Sequence, residues 1–348
     1  MKAMVYHGPG NVELTDIPKP TAGYGQMLVE IKYCGICGTD VHAYKSSGIF
    51  DWELVPGHDA VGYVAEVGEG VAGFSVGDRV AVGPPGDCGD CYACNTGHPN
   101  TCPNAFPNTL GIGPNTQGAF AQFVLSKNPK NELFKIPEGV SFEQAVLFDV
   151  MGVGLHAVRR SELKVGDDVV VSGCGSIGLS VIQTAKLAGA CRVIAFDPVP
   201  QRRKLAAQAG ADFVFDPTDG TSIDEAKALL NHTGGAHVCF ETAGMPASTA
   251  TCADLCMANG QVIIVGSDNR PYPLVSAALG PRQLDFKLSF TYTKEEILTL
   301  FRLICAGRLD TSLYTLKTAP LLDVKAQLEG LASGEIQVAR VLLMPNEG

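Results

Sequence analysis

Val169-Val170-Val171-Ser172-Gly173-Cys174-Gly175-Ser176-Ile177-Gly178-Leu179 is the stretch on which the fold turns. The valine run reads as a buried strand, and the apolar positions from Leu179 to Leu187 read as a helix. Between them Gly173, Gly175 and Gly178 stand in the spacing GxGxxG. Glycines so placed allow the tight turn, let a pyrophosphate approach the backbone, and put it at the helix N-terminus. The spacing alone is a weak signal, and the strand before it and helix after it supply the required context. Gly173, Gly175, Ser176, Ile177 and Gly178 are therefore the candidate pyrophosphate contacts. The next strand, Val193–Phe196, ends in Asp197, nineteen residues beyond Gly178. A carboxylate there accepts hydrogen bonds from ribose hydroxyls and repels a 2′-phosphate, which favours NAD over NADP. Arg202 and Arg203 follow, and Arg202 is a further candidate cofactor contact.

Working outward, strand-like and helix-like segments alternate: Gln201–Gln208, Val238–Phe240, Ala250–Met257 as helix, then Val262–Val265. Repeated strand–helix–strand units predict a doubly wound parallel sheet, an α/β domain. Upstream, from Met1 to about Lys135, short apolar runs such as Met27–Ile31 and Ala60–Val67 are each closed by Gly, Pro or Asp. These predict a barrel-like all-β body with inserted loops. Beyond about Leu284 follow a strand-like Lys287–Phe290, amphipathic helices at Lys294–Ala306 and Leu322–Ala332, and a last strand, Ala339–Met344.

The 348 residues suit two domains with their own cores, and the 46% hydrophobic and 18% charged content excludes disorder and coiled coil. A formal net charge of −10 argues against a nucleic-acid partner or an anionic membrane surface. The start of the chain has no apolar signal-like run, and no later segment approaches the ~20 apolar residues of a membrane helix. The sequence is read as that of a soluble, cytoplasmic protein.

Four of the twelve cysteines, Cys88, Cys91, Cys94 and Cys102, crowd into fifteen residues. Four thiolates so close can complete a closed tetrahedral shell around Zn²⁺, which is structural. An iron–sulfur cluster fits the gap before Cys102 poorly, and a nucleic-acid-binding ribbon fits Asp87 and Asp90 poorly. Most of the remaining thiols (Cys174, Cys191, Cys239, Cys252, Cys256, Cys305) read as small buried hydrophobes. A second candidate set is spread wider. Cys34, Cys37, Thr39, Asp40 and His42 lie in one segment, His58 and Asp59 in another, and Asp149 in a third. A thiolate, an imidazole and carboxylates are the ligand mix that zinc accepts, with one position left for substrate. A Cys34–Cys37 redox pair is the competing reading, and it leaves His58 and the acids without a role.

Gly35–His42, Gly57-His58-Asp59, the four-cysteine lobe and the fingerprint at Gly173 together resemble the zinc-dependent medium-chain dehydrogenases, over essentially the whole chain. The resemblance implies a GroES-like β-barrel catalytic domain with a Rossmann domain: residues 1–151 as the catalytic domain with its zinc lobe, 152–285 as the NAD-binding domain, and 286–348 returning to the barrel. It implies two zinc ions, one catalytic and one structural, NAD as cofactor, and a homodimer or homotetramer. Cys37 and His58 match zinc ligands. Asp59 stands where the family usually has Glu, and Asp149 matches a third ligand or the partner of the metal's water. Thr39 and His42 match the relay that removes the substrate proton. Val153–Val158 resembles the sorbitol and polyol branch, in which an Arg-Tyr pair contacts the polyol; here Thr291-Tyr292 stands in its place. Asn108–Gly113 resembles threonine 3-dehydrogenase, and Asp149 also occurs in short-chain secondary alcohol dehydrogenases. The implied activity is oxidation of a secondary alcohol, a polyol or sugar derivative, with threonine as the alternative substrate.

Overall fold

The valine run forms the strand Asp168–Ser172, in which every residue is buried. Strands covered on both faces read as continuous apolar stretches rather than alternating ones. In the computed structural model, which describes residues 1–46, 52–267, 270–272 and 274–347, this strand is central to a parallel sheet. The sheet's order is Phe213–Phe215, Arg192–Phe196, Asp168–Ser172, Ala236–Glu241, Cys256–Ile264, Asp285–Leu288. This is the doubly wound order, whose direction reverses between Asp168–Ser172 and Ala236–Glu241. The fingerprint opens the helix Ser176–Ala188, which ends on Gly189 in the left-handed conformation. The helix expected over Ala250–Met257 runs from Pro246 to Leu255, and Cys256 and Met257 already belong to the next strand. Ala, Leu and Met favour helix locally, and pairing of Cys256 with Ala236 overrides that preference.

Contacts divide the chain into two units. One comprises Val150–Tyr292 and Ala306–Leu313 and holds the parallel sheet. The other comprises Met1–Asp149, Thr293–Cys305 and Tyr314–Gly348. Its main sheet is the β-barrel body, in which Met27–Gly35 pairs antiparallel with Asp59–Val67, Phe123–Ser126 and Arg340–Met344. Met27, Val29, Ile31, Val64, Val82 and Phe120 fill its core. The C-terminal strand Arg340–Met344 also pairs parallel with Leu316–Pro320.

Helices interrupt the expected all-β body. Gly38–Lys45 is the main one, with Cys37 in extended conformation as its N-cap and the Asp40 carboxylate accepting the Cys37 N–H at 2.8 Å. Its buried face is Asp40, Ala43 and Tyr44. The spacing is helical, but an aspartate in the stripe hides it from apolar periodicity. Cys174, Cys239, Cys252 and Cys256 are buried as expected, whereas Cys191 and Cys305 are exposed at helix and strand boundaries. Among the described residues no helix is long and apolar enough to cross a membrane.

Candidate active site and metal centres

Four elements of the barrel unit supply one cluster. Cys37 caps the helix Gly38–Lys45, His58 ends the loop before the strand that begins at Asp59, and Asp149 lies in the first turn of the helix Phe148–Arg160. Arg340 begins the C-terminal strand. Gly57 sets the direction of His58: its φ is +95°, and a Cβ there would collide with the Phe120 ring. One ligand atom from each of Cys37, His58, Asp59 and Asp149 lies within 4.8 Å of the others.

His58 and Asp59 are deeply buried, at 4% and 0% exposure, and Cys37 is half-buried. Arg340, which the sequence reading passed over, is buried with them and ion-pairs Asp59, with Asp149 Oδ2 at 3.3 Å. An arginine at the start of an apolar strand carries no local signal that its partners lie 281 and 191 residues away. Asp40, three residues after Cys37, stands at capping-box spacing on the same helix. Its Oδ1 lies 3.9 Å from His58 Nδ1, and Asp59 Oδ1 lies 3.5 Å from His58 Nε2. Burial alone would push the His58 imidazole down, but the Asp59 and Asp40 carboxylates and Cys37 outweigh it and hold it well above its usual value. Burial pushes Asp59 up to about 7, against the pull of Arg340. Asp40 Oδ1, His58 Nδ1 and Asp59 Oδ1 have no hydrogen-bond partner among the described residues although all are buried. Buried polar atoms are normally paired, and a thiolate–imidazole–carboxylate set is what a zinc ion would complete.

Thr39 and His42 follow Cys37 on its helix, three positions apart and so on one face. Thr39 is half-buried with Oγ1 at 4.0 Å from Cys37 Sγ, and His42 is exposed.

The four-cysteine lobe closes on itself. Sγ separations are 3.5 Å for Cys91–Cys94, 3.7 Å for Cys91–Cys102 and 3.6 Å for Cys88–Cys102. A Zn–S bond of about 2.3 Å gives tetrahedron edges of about 3.8 Å, so the thiols stand at zinc spacing and far outside disulfide spacing. The Cys94 backbone N–H draws the Cys91 thiol down to about 7, toward the thiolate that a metal needs.

In the other unit the fingerprint offers a cradle. Gly173 has φ +102°, and a side chain at Gly178 would strike the Gly173 carbonyl. A Cβ at Gly175 would meet nothing within 4 Å, and Gly175, Ser176 and Ile177 are half-exposed. The helix N-terminus behind Gly175 has no side-chain cap, so its N–H groups stand ready for an anion. Asp197 is buried and shapes this turn: Oδ2 accepts the Cys174 N–H and Oδ1 the Val199 N–H, both at 2.8 Å. Arg202 is exposed with Nη1 at 3.8 Å from Asp197 Oδ2, whereas Arg203 is engaged by Asp216 and two backbone carbonyls. Thr291 has φ +49°, and Tyr292 beside it is 5% exposed.

Residues 23–138 match the family described as alcohol dehydrogenase GroES-like domain, and residues 176–306 match zinc-binding dehydrogenase. The chain is 30% identical to sorbitol dehydrogenase of Bacillus subtilis over 99% of its length and 98% of that protein's. It is 31% identical to L-threonine 3-dehydrogenase of Idiomarina loihiensis over 96% and 97% of the two chains. Among solved structures, 2R,3R-butanediol dehydrogenase of Bacillus subtilis superposes with a TM-score of 0.87 at 29% identity, covering 99% of both chains.

Replacing Arg340 leaves two buried carboxylates facing each other without a cation. Arg340→Ala is expected to lower the unfolding free energy of the protein as purified by about 3–5 kcal/mol, read from urea denaturation.

Proposed function

Because the chain belongs to the zinc-dependent medium-chain dehydrogenases, we propose that it oxidises a hydrophilic secondary alcohol, a polyol or sugar derivative, to the ketone with NAD as hydride acceptor. The observation that carries this reading is the set of Cys37, His58, Asp59 and Asp149, whose donor atoms lie within 4.8 Å of one another. Cys37 and His58, with Asp59 or Asp149 as the third ligand, would hold the catalytic zinc, and Cys88, Cys91, Cys94 and Cys102 the structural one. Arg340 contacts both carboxylates, ion-pairing Asp59 and standing 3.3 Å from Asp149 Oδ2. When bound, the metal would supply Lewis-acid polarisation of an alcohol oxygen and the dinucleotide a hydride acceptor. Thr39 takes the hydroxyl proton and hands it to His42, whose exposed ring releases it to water. Gly173, Gly175, Ser176, Ile177 and Gly178 hold the pyrophosphate, and Asp197 with Arg202 holds the adenosine end.

The polar-substrate reading rests on the donor set. One thiolate accompanied by carboxylates is a harder site than one built on two thiolates, and it suits a substrate bringing further oxygens. Thr291 and Tyr292 are the proposed partners of those groups. A 2-amino-3-hydroxy acid is the second reading, favoured by the full-length likeness to a threonine dehydrogenase. Thiols clustered for metal binding support a reducing compartment, the cytoplasm. The strand Asp285–Leu288 ends the parallel sheet, and Leu288 and Phe290 there are 69% and 70% exposed. Such an apolar edge supports a homodimer or homotetramer.

Metal analysis should find about two zinc ions per chain. Cys37→Ser should retain one, keep its far-UV spectrum and lose all turnover, and a wild type with a single zinc would remove the catalytic site from this reading.

Cofactor choice is tested separately. At equal concentrations NAD should be reduced about tenfold or more faster than NADP, and Asp197→Ser should narrow the gap. Equal rates for the wild type would transfer the 2′ position to Arg202.

A site that hydrogen-bonds vicinal polar groups rejects analogues lacking them by as much as about 10⁴-fold. A polyol should therefore far exceed 2-butanol in kcat/KM, read as NADH absorbance. Equal turnover of 2-butanol would indicate a plain secondary alcohol dehydrogenase, and threonine exceeding every polyol would establish the second reading.

A further inference from the structure

Glu241 is the last residue of the strand Ala236–Glu241, opposite Ser172 in the register, at the point where the strand order reverses. It is 0% exposed. Strand ends at that point carry the loops against which a dinucleotide binds. Glu241 Oε1 accepts the N–H groups of Ala243 at 2.9 Å and Gly244 at 2.8 Å. Its backbone carbonyl accepts the N–H groups of Val265 at 2.8 Å and Gly266 at 3.0 Å. Next in the chain, Thr242 Oγ1 donates to the Gly173 carbonyl at 2.6 Å, and the Thr242 N–H donates to the Ser172 carbonyl at 2.9 Å. One buried residue and its neighbour therefore tie together the fingerprint turn, the turn at 242–244 and the turn at 265–266. Glu241 Oε2 has no partner among the described residues, and it faces Gly266, where an added Cβ would come within 2.7 Å.

A buried carboxylate with one oxygen unpaired costs free energy that an apolar strand residue would not. Stability of the sheet gives no reason for it, whereas a requirement on the position of those turns does. We propose that Glu241 is a positioning residue of the dinucleotide site: it does not touch the cofactor, but its side chain holds the 242–244 turn, packed beside Gly266, in the arrangement that receives it. The inference rests on the fingerprint's being a working dinucleotide site.

The test compares Glu241→Gln, Glu241→Asp and Glu241→Ala in the full-length zinc-loaded protein. NADH affinity is read by fluorescence, and KM for NAD and kcat by turnover, with melting temperature and zinc content alongside. Gln keeps an acceptor at Oε1, and its NADH affinity should stay within about threefold of wild type. Asp withdraws the acceptor by a methylene and Ala removes it. Both should weaken NADH binding and raise KM for NAD by about tenfold or more, with kcat at saturating NAD within about threefold. Should Ala fail to fold, the Gln and Asp pair decides. Unchanged NADH affinity in Asp, or Gln as damaged as Asp, would overturn the proposal, as would a fall in melting temperature and kcat with KM for NAD unmoved. A wild type that binds no NADH would instead overturn the reading of the fingerprint.

Discussion

The buried ion pair of Arg340 with Asp59, shared with Asp149, is the constraint on which the barrel unit's site depends. Asp40, Asp59, Asp149 and Cys37 can all carry negative charge within one cluster, and among the described residues Arg340 is the fixed cation that faces them. Carboxylates in a low-dielectric interior repel strongly, and each carries a desolvation penalty of several kcal/mol. The guanidinium offsets part of that, and the raised Asp59 and His58 report that the compensation is incomplete. A divalent cation at the donor atoms supplies the charge that is missing, so the electrostatic imbalance of the cluster and its ligand chemistry point the same way.

The same pair fixes how the chain closes. Leu342 and Leu343 pair with Gly35 and Cys34, and that register delivers Arg340 to the first residue of the neighbouring strand, Asp59, which itself pairs with Gly35. Gly35 is required in this crossing: a Cβ there would stand 2.9 Å from Arg340 Nε. A glycine in a segment otherwise noticed for its cysteines is thus explained by an arginine more than three hundred residues later.

What could be read from the sequence follows from how local each signal is. The parallel sheet was legible because buried strands leave apolar runs such as Val169–Val171, and because the glycines at 173 and 178 each answer a steric demand that can be stated in advance. The thiols of the lobe were legible because close spacing in the chain keeps them close in space. The helix Gly38–Lys45 was not, since its buried stripe contains Asp40, and the helix end at Leu255 was not, since strand pairing overrode propensity. Arg340 and Glu241 were missed for a common reason. Both are charged residues at strand ends whose partners or effects lie in other loops, and nothing in their own neighbours marks them as buried.

Those two residues do comparable work at opposite ends of their strands. Arg340 enters a strand and gathers carboxylates contributed by two other elements, while Glu241 leaves a strand and gathers backbone N–H groups from the turn beyond it. In each, one buried polar side chain replaces several weaker constraints on loops that close packing alone would leave adjustable. A hydrogen-bonding anchor demands a definite geometry from every donor or acceptor around it, because a displaced partner leaves a buried polar group unpaired at a cost of about 1–3 kcal/mol. An apolar side chain tolerates a shift of a few tenths of an ångström at far smaller cost. Metal coordination and hydride transfer both depend on positions held to about half an ångström, so buried charges are placed where that tolerance is smallest.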